Sequence, residues 1–167
     1  MFRRFLVVAT SITLIACSST PAELPENANA TVERVVDGDT IEVSIDGRSE
    51  TIRLIGVNTP ETKKPNTPIE CFGPEASART TELLPTGTPV RLERDVESRD
   101  KYGRLLAYVY RQPDNLFING VLIDEGLARP YKFPPNTTFS SEFSAAADIA
   151  RRNGTGLWAA CPATTEP

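Results

Sequence analysis

The sequence contains no histidine. That absence removes serine–histidine and cysteine–histidine catalysis and, with them, most zinc enzymes. Cysteine is scarce as well: Cys17, Cys71 and Cys161 are the only three. A two-cysteine metal site would lack histidine partners. No apolar run is long enough to span a bilayer, and no internal repeat is present. Positive charge is not in excess either, since 18 basic residues stand against 22 acidic ones. An acidic chain is not what bulk nucleic-acid binding predicts, so any phosphate recognition must rest on local arrangement. Chemistry is left to carboxylates, arginines, lysines, tyrosines, hydroxyls or a hard metal ion.

The N-terminus carries an address. Residues 1–16, "MFRRFLVVATSITLIA", place two arginines before a short apolar stretch without acidic residues. This reads as a secretory signal, although Phe5 directly after the arginines fits a twin-arginine signal poorly. The segment ends Leu14-Ile15-Ala16-Cys17, which is similar to a bacterial lipobox. That resemblance implies that Cys17 is lipidated and becomes the mature N-terminus. The chain would then be exported and held on the bacterial cell envelope, at the outer face of the plasma membrane or in the periplasm or outer membrane. Removing the signal leaves 16 basic and 22 acidic residues, a net charge of −6. Residues 18–30, "SSTPAELPENANA", are too polar to bury a core and read as part of a flexible tether over 17–30. One domain is expected over 31–161, with a short tail at 162–167. With Cys17 lipidated, Cys71 and Cys161 remain, and in an oxidising compartment a single disulfide between them is the economical reading.

Within the domain, Asp37-Gly38 and Asp46-Gly47 sit between runs rich in Val, Ile and Thr. Asp-Gly in that setting is a strong hairpin signal. Strands are predicted at 31–36, 39–45 and 49–57, then a helix over "PEASARTTELL" with proline at its first position. Strands near 90–94 and 104–111 follow, then helices near 118–126 and 139–152 that end at Gly126 and before Asn153-Gly154. The order predicts a mainly β fold with α: a five-stranded OB-type barrel with about three packed helices.

Three stretches carry candidate chemistry. In "RLIGVNTPE" (53–61), Arg53 enters an otherwise apolar strand, where a guanidinium is costly unless an anion meets it. An internal carboxylate would also satisfy it, and Thr59-Pro60-Glu61 would equally suit the start of a helix. In "DGDT" (37–40) a type I′ turn needs only Asp37-Gly38, which leaves Asp39 as an extra carboxylate at the hairpin mouth. In "RDKYGRLLAYVY" (99–110), Gly103 permits a bend and Arg104 enters a second apolar strand. Two arginines in two barrel strands, with carboxylates at nearby strand ends, suggest a phosphate site.

At these residues the chain resembles the staphylococcal nuclease (thermonuclease) family. "VVDGDT" (35–40), "RLIGVNTPE" (53–61), "CFGPEAS" (71–77), "DKYGRLLAYVY" (100–110), "INGVLIDEGLA" (118–128) and "GLW" (156–158) occur in family order across nearly the whole domain. The resemblance implies an OB barrel with three helices that cleaves DNA and RNA with calcium, leaving 3′-phosphates. It implies phosphate-binding roles for Arg53 and Arg104 and a general-base role for Glu61. Asp39 and Asn58 would be calcium ligands, joined by the backbone carbonyl of Thr59. Lys101, Tyr102 and Tyr131 would contact substrate, beside a loop carrying Lys63 and Lys64. A monomer is expected, with DNA and RNA as substrates and the membrane reached through the lipid anchor. Two positions depart from the family pattern: Asn58 stands where aspartate is usual, removing one negative charge, and Phe133 replaces a second tyrosine. Asp37, close by at the hairpin, could compensate for the lost charge. The loss of charge keeps a second reading in view, an inactive OB module that binds single-stranded nucleic acid.

Overall fold

The computed structural model describes residues 24–63, 65 and 67–161. The signal segment, Cys17, the first part of the tether, Lys64 and the tail at 162–167 lie outside these residues.

Strands β1 (Ala30–Asp37), β2 (Thr40–Ile45) and β3 (Arg48–Leu54) form the expected antiparallel meander. Ala30, placed in the tether by composition, is the first residue of β1, and the Asn29 side chain just before it bonds to both the N–H and the carbonyl of Leu92. The turn at Asp46-Gly47 has positive φ at both residues, as a type I′ hairpin requires. The first hairpin differs. Asp37 pairs with Thr40, so Gly38 and Asp39 are the central residues, and neither takes left-handed backbone. Asp39 is therefore part of the turn rather than an extra beside it. Gly38 is needed there for closeness, because a Cβ would lie 2.7 Å from Thr59 Oγ1.

The third strand is shorter than its apolar run predicts. It stops at Leu54, and Gly56, at φ +80°, turns the chain into the two-residue β4 (Val57–Asn58). Gly56 lies under Phe143, where a Cβ would come within 2.5 Å of the ring. Tertiary packing ends the strand, not a loss of β propensity. Helix α1 (Gly73–Leu83) follows, and Thr80 Oγ1 donates to Gly38 O at 2.8 Å, pinning the first hairpin turn from behind.

Strands β5 (Pro89–Glu93) and β6 (Leu105–Arg111) pair antiparallel, and β6 pairs in parallel with β3 through Ile52↔Leu105, Arg53↔Leu106 and Leu54↔Ala107. That parallel seam closes a five-stranded barrel of β1, β2, β3, β5 and β6. Next come β7 (Leu116–Phe117), α2 (Ile118–Asp124), β8 (Arg129–Pro130), α3 (Ser140–Asn153) and α4 (Leu157–Ala160). Strand β8 pairs with β4 in a small second sheet. The three longer helices are those expected; β4, β7, β8 and α4 were not. Among the described residues, no helix is long and apolar enough to cross a membrane.

The barrel interior is filled by Ile41, Val43, Ile52, Leu54, Val90 and Val109, all at most 1% exposed. Beneath it, Asn119 is fully buried: its Oδ1 accepts from Val109 N at 2.9 Å and its Nδ2 donates to Ile55 O at 2.9 Å. One side chain thus ties α2 to β6 and to the turn after β3. Cys71 and Cys161 are joined, fixing the chain just before α1 to the end of α4. A closed loop of 90 residues contributes a few kcal/mol, ~4.6 in the chain-entropy picture.

Candidate active site

Two cavities of about 540 and 490 Å³ adjoin on one side of the barrel, and Arg53, Asn58 and Arg104 line both. The larger is walled by apolar and aromatic groups, among them Leu54, Ile55, Leu106, Tyr102, Tyr131 and Phe133. The smaller is polar, and carries Asp37, Asp39, Thr59, Glu61 and Glu70.

Arg53 projects from β3 with its side chain 14% exposed. Its Nη1 donates to Leu54 O at 2.6 Å and Val57 O at 2.7 Å. Its Nη2 lies 3.0 Å from Asp39 Oδ2 and 3.2 Å from Asn58 Oδ1. Of the two plainer readings of this stretch, the internal carboxylate is realised and the helix start is not, since residues 59–61 are irregular and α1 begins at Gly73. Burial lowers the guanidinium's affinity for its proton, and Asp39 opposes that. Three carbonyl-type oxygens and one carboxylate pre-orient the fork; it is built in, not free to swing.

Arg104 precedes β6, after a bend at Gly103 with φ +83°. Its Nε donates to Asp100 Oδ2 at 2.7 Å, and its side chain is 32% exposed. Burial raises the Asp100 carboxyl, but bonds from the Arg104 side chain and from the Tyr102 and Arg104 N–H groups outweigh it and hold the carboxyl below the usual range. Lys101 Nζ and Arg104 Cζ lie 5.1 and 5.5 Å from the ring centroid of the exposed Tyr102. Tyr131, also exposed, tilts against Phe133 at 6.3 Å.

Glu61 faces the smaller cavity, where Oε1 accepts from Lys63 N at 2.7 Å. Its backbone is clamped by Glu70: Glu61 N donates to Glu70 Oε2, and Glu70 N donates to Glu61 O, each at 3.0 Å. Asp37 accepts from Thr62 Oγ1 at 2.7 Å and from Gly38 N at 2.9 Å. Burial first, and a hydrogen bond with Glu61 after it, push the Asp37 carboxyl up, against the bonds from Thr62 and Gly38.

Asp39 accepts from Thr59 N and Thr40 Oγ1, both at 3.0 Å, while Thr59 Oγ1 is buried without a partner. Among the described residues, no three Asp, Glu, His or Cys side chains converge as a metal cluster. The donors offered by Asp39, Asn58 and the Thr59 carbonyl are all oxygens, a set that fits a hard cation and not zinc or copper. It carries a single charged member, with Asp37 and Glu61 on the same cavity wall.

A family model described as "Staphylococcal nuclease homologue" matches residues 51–160. The chain belongs to the staphylococcal nuclease family. It is 48% identical over 127 residues to the Thermonuclease of Staphylococcus intermedius, covering 76% of this chain and 74% of that one. It is 43% identical over 132 residues to Endonuclease YncB of Bacillus subtilis, covering 78% of this chain and 61% of that one. Over 127 residues it is 44% identical to the Thermonuclease of Staphylococcus hyicus, covering 76% and 73%.

In this staphylococcal nuclease fold, the residues singled out in the sequence meet around the two cavities. Arg53, Glu61, Arg104, Asp39, Asn58 and Thr59 line the smaller, and Lys101, Tyr102 and Tyr131 join Arg53, Asn58 and Arg104 in the larger. Lys63 lines the smaller one too. Two groups escaped the sequence reading. Asp100 had a signal, an Asp accepting from the N–H two residues on, as in an Asx turn. Glu70 had none, because its contact with Glu61 spans a loop of irregular backbone.

Proposed function

We propose that this chain is a calcium-dependent, sugar-non-specific endonuclease that hydrolyses DNA and RNA to 3′-phosphate products. It works as a monomer at the bacterial cell envelope, tethered through Cys17. Membership of the family makes it a hydrolase of phosphodiester bonds, and the homologues named above support nucleic acid as the substrate. The observation that carries the finer reading is the wall shared by the two cavities: two arginines and Asn58 stand between an aromatic groove and a carboxylate pocket. A phosphate seated at that wall has its bases beside Tyr102 and Tyr131 and its reacting face toward Glu61. Stacking on tyrosine is tolerant of sequence, which supports weak specificity.

In the hydrolytic step, water oxygen bonds to phosphorus and its proton passes to Glu61, while the P–O5′ bond breaks, leaving the phosphate on the 3′ side. The departing 5′-oxygen takes up a proton from solvent, and Glu61 returns its own to solvent. Arg53 and Arg104 meet the charge that grows on the non-bridging oxygens with a fixed fork that lysine lacks. Arg53 is held at Nη1 by Leu54 O and Val57 O, while Nε remains open among the described residues and Nη2 would exchange Asp39 and Asn58 for the phosphate. Asp39, Asn58 and the Thr59 carbonyl would hold the cation. The chemistry that a bound calcium supplies is in-line positioning and neutralisation of the phosphate.

The test is digestion of single-stranded DNA and of RNA by the purified protein, with calcium and with a chelator. Cleavage with calcium alone is expected. Binding without cleavage would instead establish the second reading, which the neutral Asn58 favours. The anchor has its own test: Cys17→Ser should leave an unprocessed precursor or a soluble protein, and unchanged membrane partition would refute it.

Asn58 offers a sharper test of the metal set. Its amide attracts a divalent cation less than a carboxylate would, so Asn58→Asp should bind calcium more tightly, by on the order of 1–2 kcal/mol. Half-maximal activity should move to lower calcium. Metal-free stability depends on two opposed changes, an added repulsion with Asp39 and an added attraction to Arg53. Calorimetric titration of both proteins decides the point; equal affinities would remove Asn58 from the ligand set.

A further inference from the structure

A third cavity, of about 200 Å³, lies beyond β8 and is lined by Arg129, Arg151, Trp158, Ser144 and Asp148 among others. Two guanidiniums sit over one indole, with Arg151 Cζ 4.4 Å and Arg129 Cζ 5.3 Å from the ring. Trp158 Nε1 is buried and finds no acceptor. A buried N–H left without a partner costs roughly 1–3 kcal/mol, so the indole is held here by packing and by the two guanidiniums over its ring. Arg129 makes no ion pair among the described residues. Arg151 is paired with Asp148 at 2.9 Å, but both side chains are 56% exposed. An exposed pair of that kind is held weakly and yields to a stronger anion. Two cations against one weakly held carboxylate select an oxyanion. The guanidiniums over the indole disfavour a stacked base.

The position of this pocket links it to the two cavities of the candidate active site. Arg129 is paired across β4 and β8 with Asn58, which lines both of them. Tyr131, two residues further on, stands in the wall of the larger groove. Two residues of extended chain cover about 7 Å. A strand running along Tyr131 therefore continues toward Arg129. We propose that the Arg129–Arg151–Trp158 pocket takes a backbone phosphate of the substrate strand, beyond the nucleotides held in the larger groove. The inference rests on the nuclease reading above, and extends it to a contact that only long substrates make.

Cleavage of a long single strand and of a dinucleotide is compared for the unaltered protein and for the Arg129→Gln/Arg151→Gln double variant. The preference for the long strand should fall about tenfold, and the slope of log(kcat/KM) against log[salt] for that strand should shrink by about one. An unchanged preference together with an unchanged slope overturns the proposal. Failure of the unaltered protein to cleave either substrate would sink the nuclease reading instead.

A second measurement does not depend on how the double variant folds. Trp158 is the sequence's only tryptophan, so its emission reports on this pocket. In a Glu61→Gln background that slows turnover, a single-stranded oligonucleotide of about twelve nucleotides should shift that emission and a dinucleotide should not. Saturating oligonucleotide without a shift refutes the site. A shift caused by inorganic phosphate that the oligonucleotide does not compete with would make this a free-anion pocket, and would refute the strand contact.

Discussion

Glu61→Gln should lower kcat by about 10²–10⁴-fold, the range that a positioned general base contributes. The substitution keeps the side chain's size and its contact with Lys63 N, so thermal stability should move little. Arg104→Lys should lower kcat by a comparable factor, on the order of 10²–10³, because charge survives and the two-pronged contact does not. Both changes act where charge develops, so KM should shift much less than kcat. The measurement is single-turnover cleavage of a defined oligonucleotide at saturating calcium. Near-normal rates for Glu61→Gln would end the general-base assignment; near-normal rates for Arg104→Lys would reduce Arg104 to a point charge. Arg53 is the poorer choice for this experiment. It also satisfies Leu54 O and Val57 O, so its removal damages the turn into β4 along with the chemistry.

The largest effect on stability should come from a residue that makes no contact with substrate. Asn119→Ala leaves Val109 N–H and Ile55 C=O buried without their side-chain partner. Each orphaned group costs about 1–3 kcal/mol, so a loss of roughly 3–5 kcal/mol is expected once the small cavity is added. That is a large share of the ~5–15 kcal/mol that holds a domain together. Asn119→Asp should be as damaging, because it keeps the acceptor for Val109 and sets a carboxylate oxygen against Ile55 O. Urea unfolding checks this: the midpoint should fall with the slope unchanged. A loss under 1 kcal/mol would mean that neighbouring groups or water satisfy the backbone in its place.

Much of the architecture was legible in the residues. Two Asp-Gly pairs between β-branched runs marked the meander, and proline at the start of α1 marked the helix. What failed was local punctuation decided elsewhere in the chain. The third strand ended early because Phe143, far along the sequence, occupies the space over Gly56. The first turn shifted by one residue because Gly38 approaches Thr59, and no single-residue signal announces such an approach. Two-residue strands such as β4 and β8 carry too little pattern to read at all. At the site, the arginines in apolar strands and Asp39 at the hairpin mouth were conspicuous, while the carboxylate partner of Arg104 was not. Asp100 had an ordinary turn role that hid its bond to Arg104.

The closing seam of the barrel also sets how this protein loses function on heating. Only three residue pairs join β3 to β6, in the parallel arrangement that is slightly weaker per residue. Arg53 lies within that seam, and Arg104 directly before it. The separation of the two guanidiniums is therefore a property of barrel closure, not of either strand alone. Brief opening of the seam would part them while the meander and the helices stay intact. Inactivation should thus track the local opening of β3 from β6, which amide exchange at Ile55 N–H, bonded to Ala107 O, would report ahead of global melting.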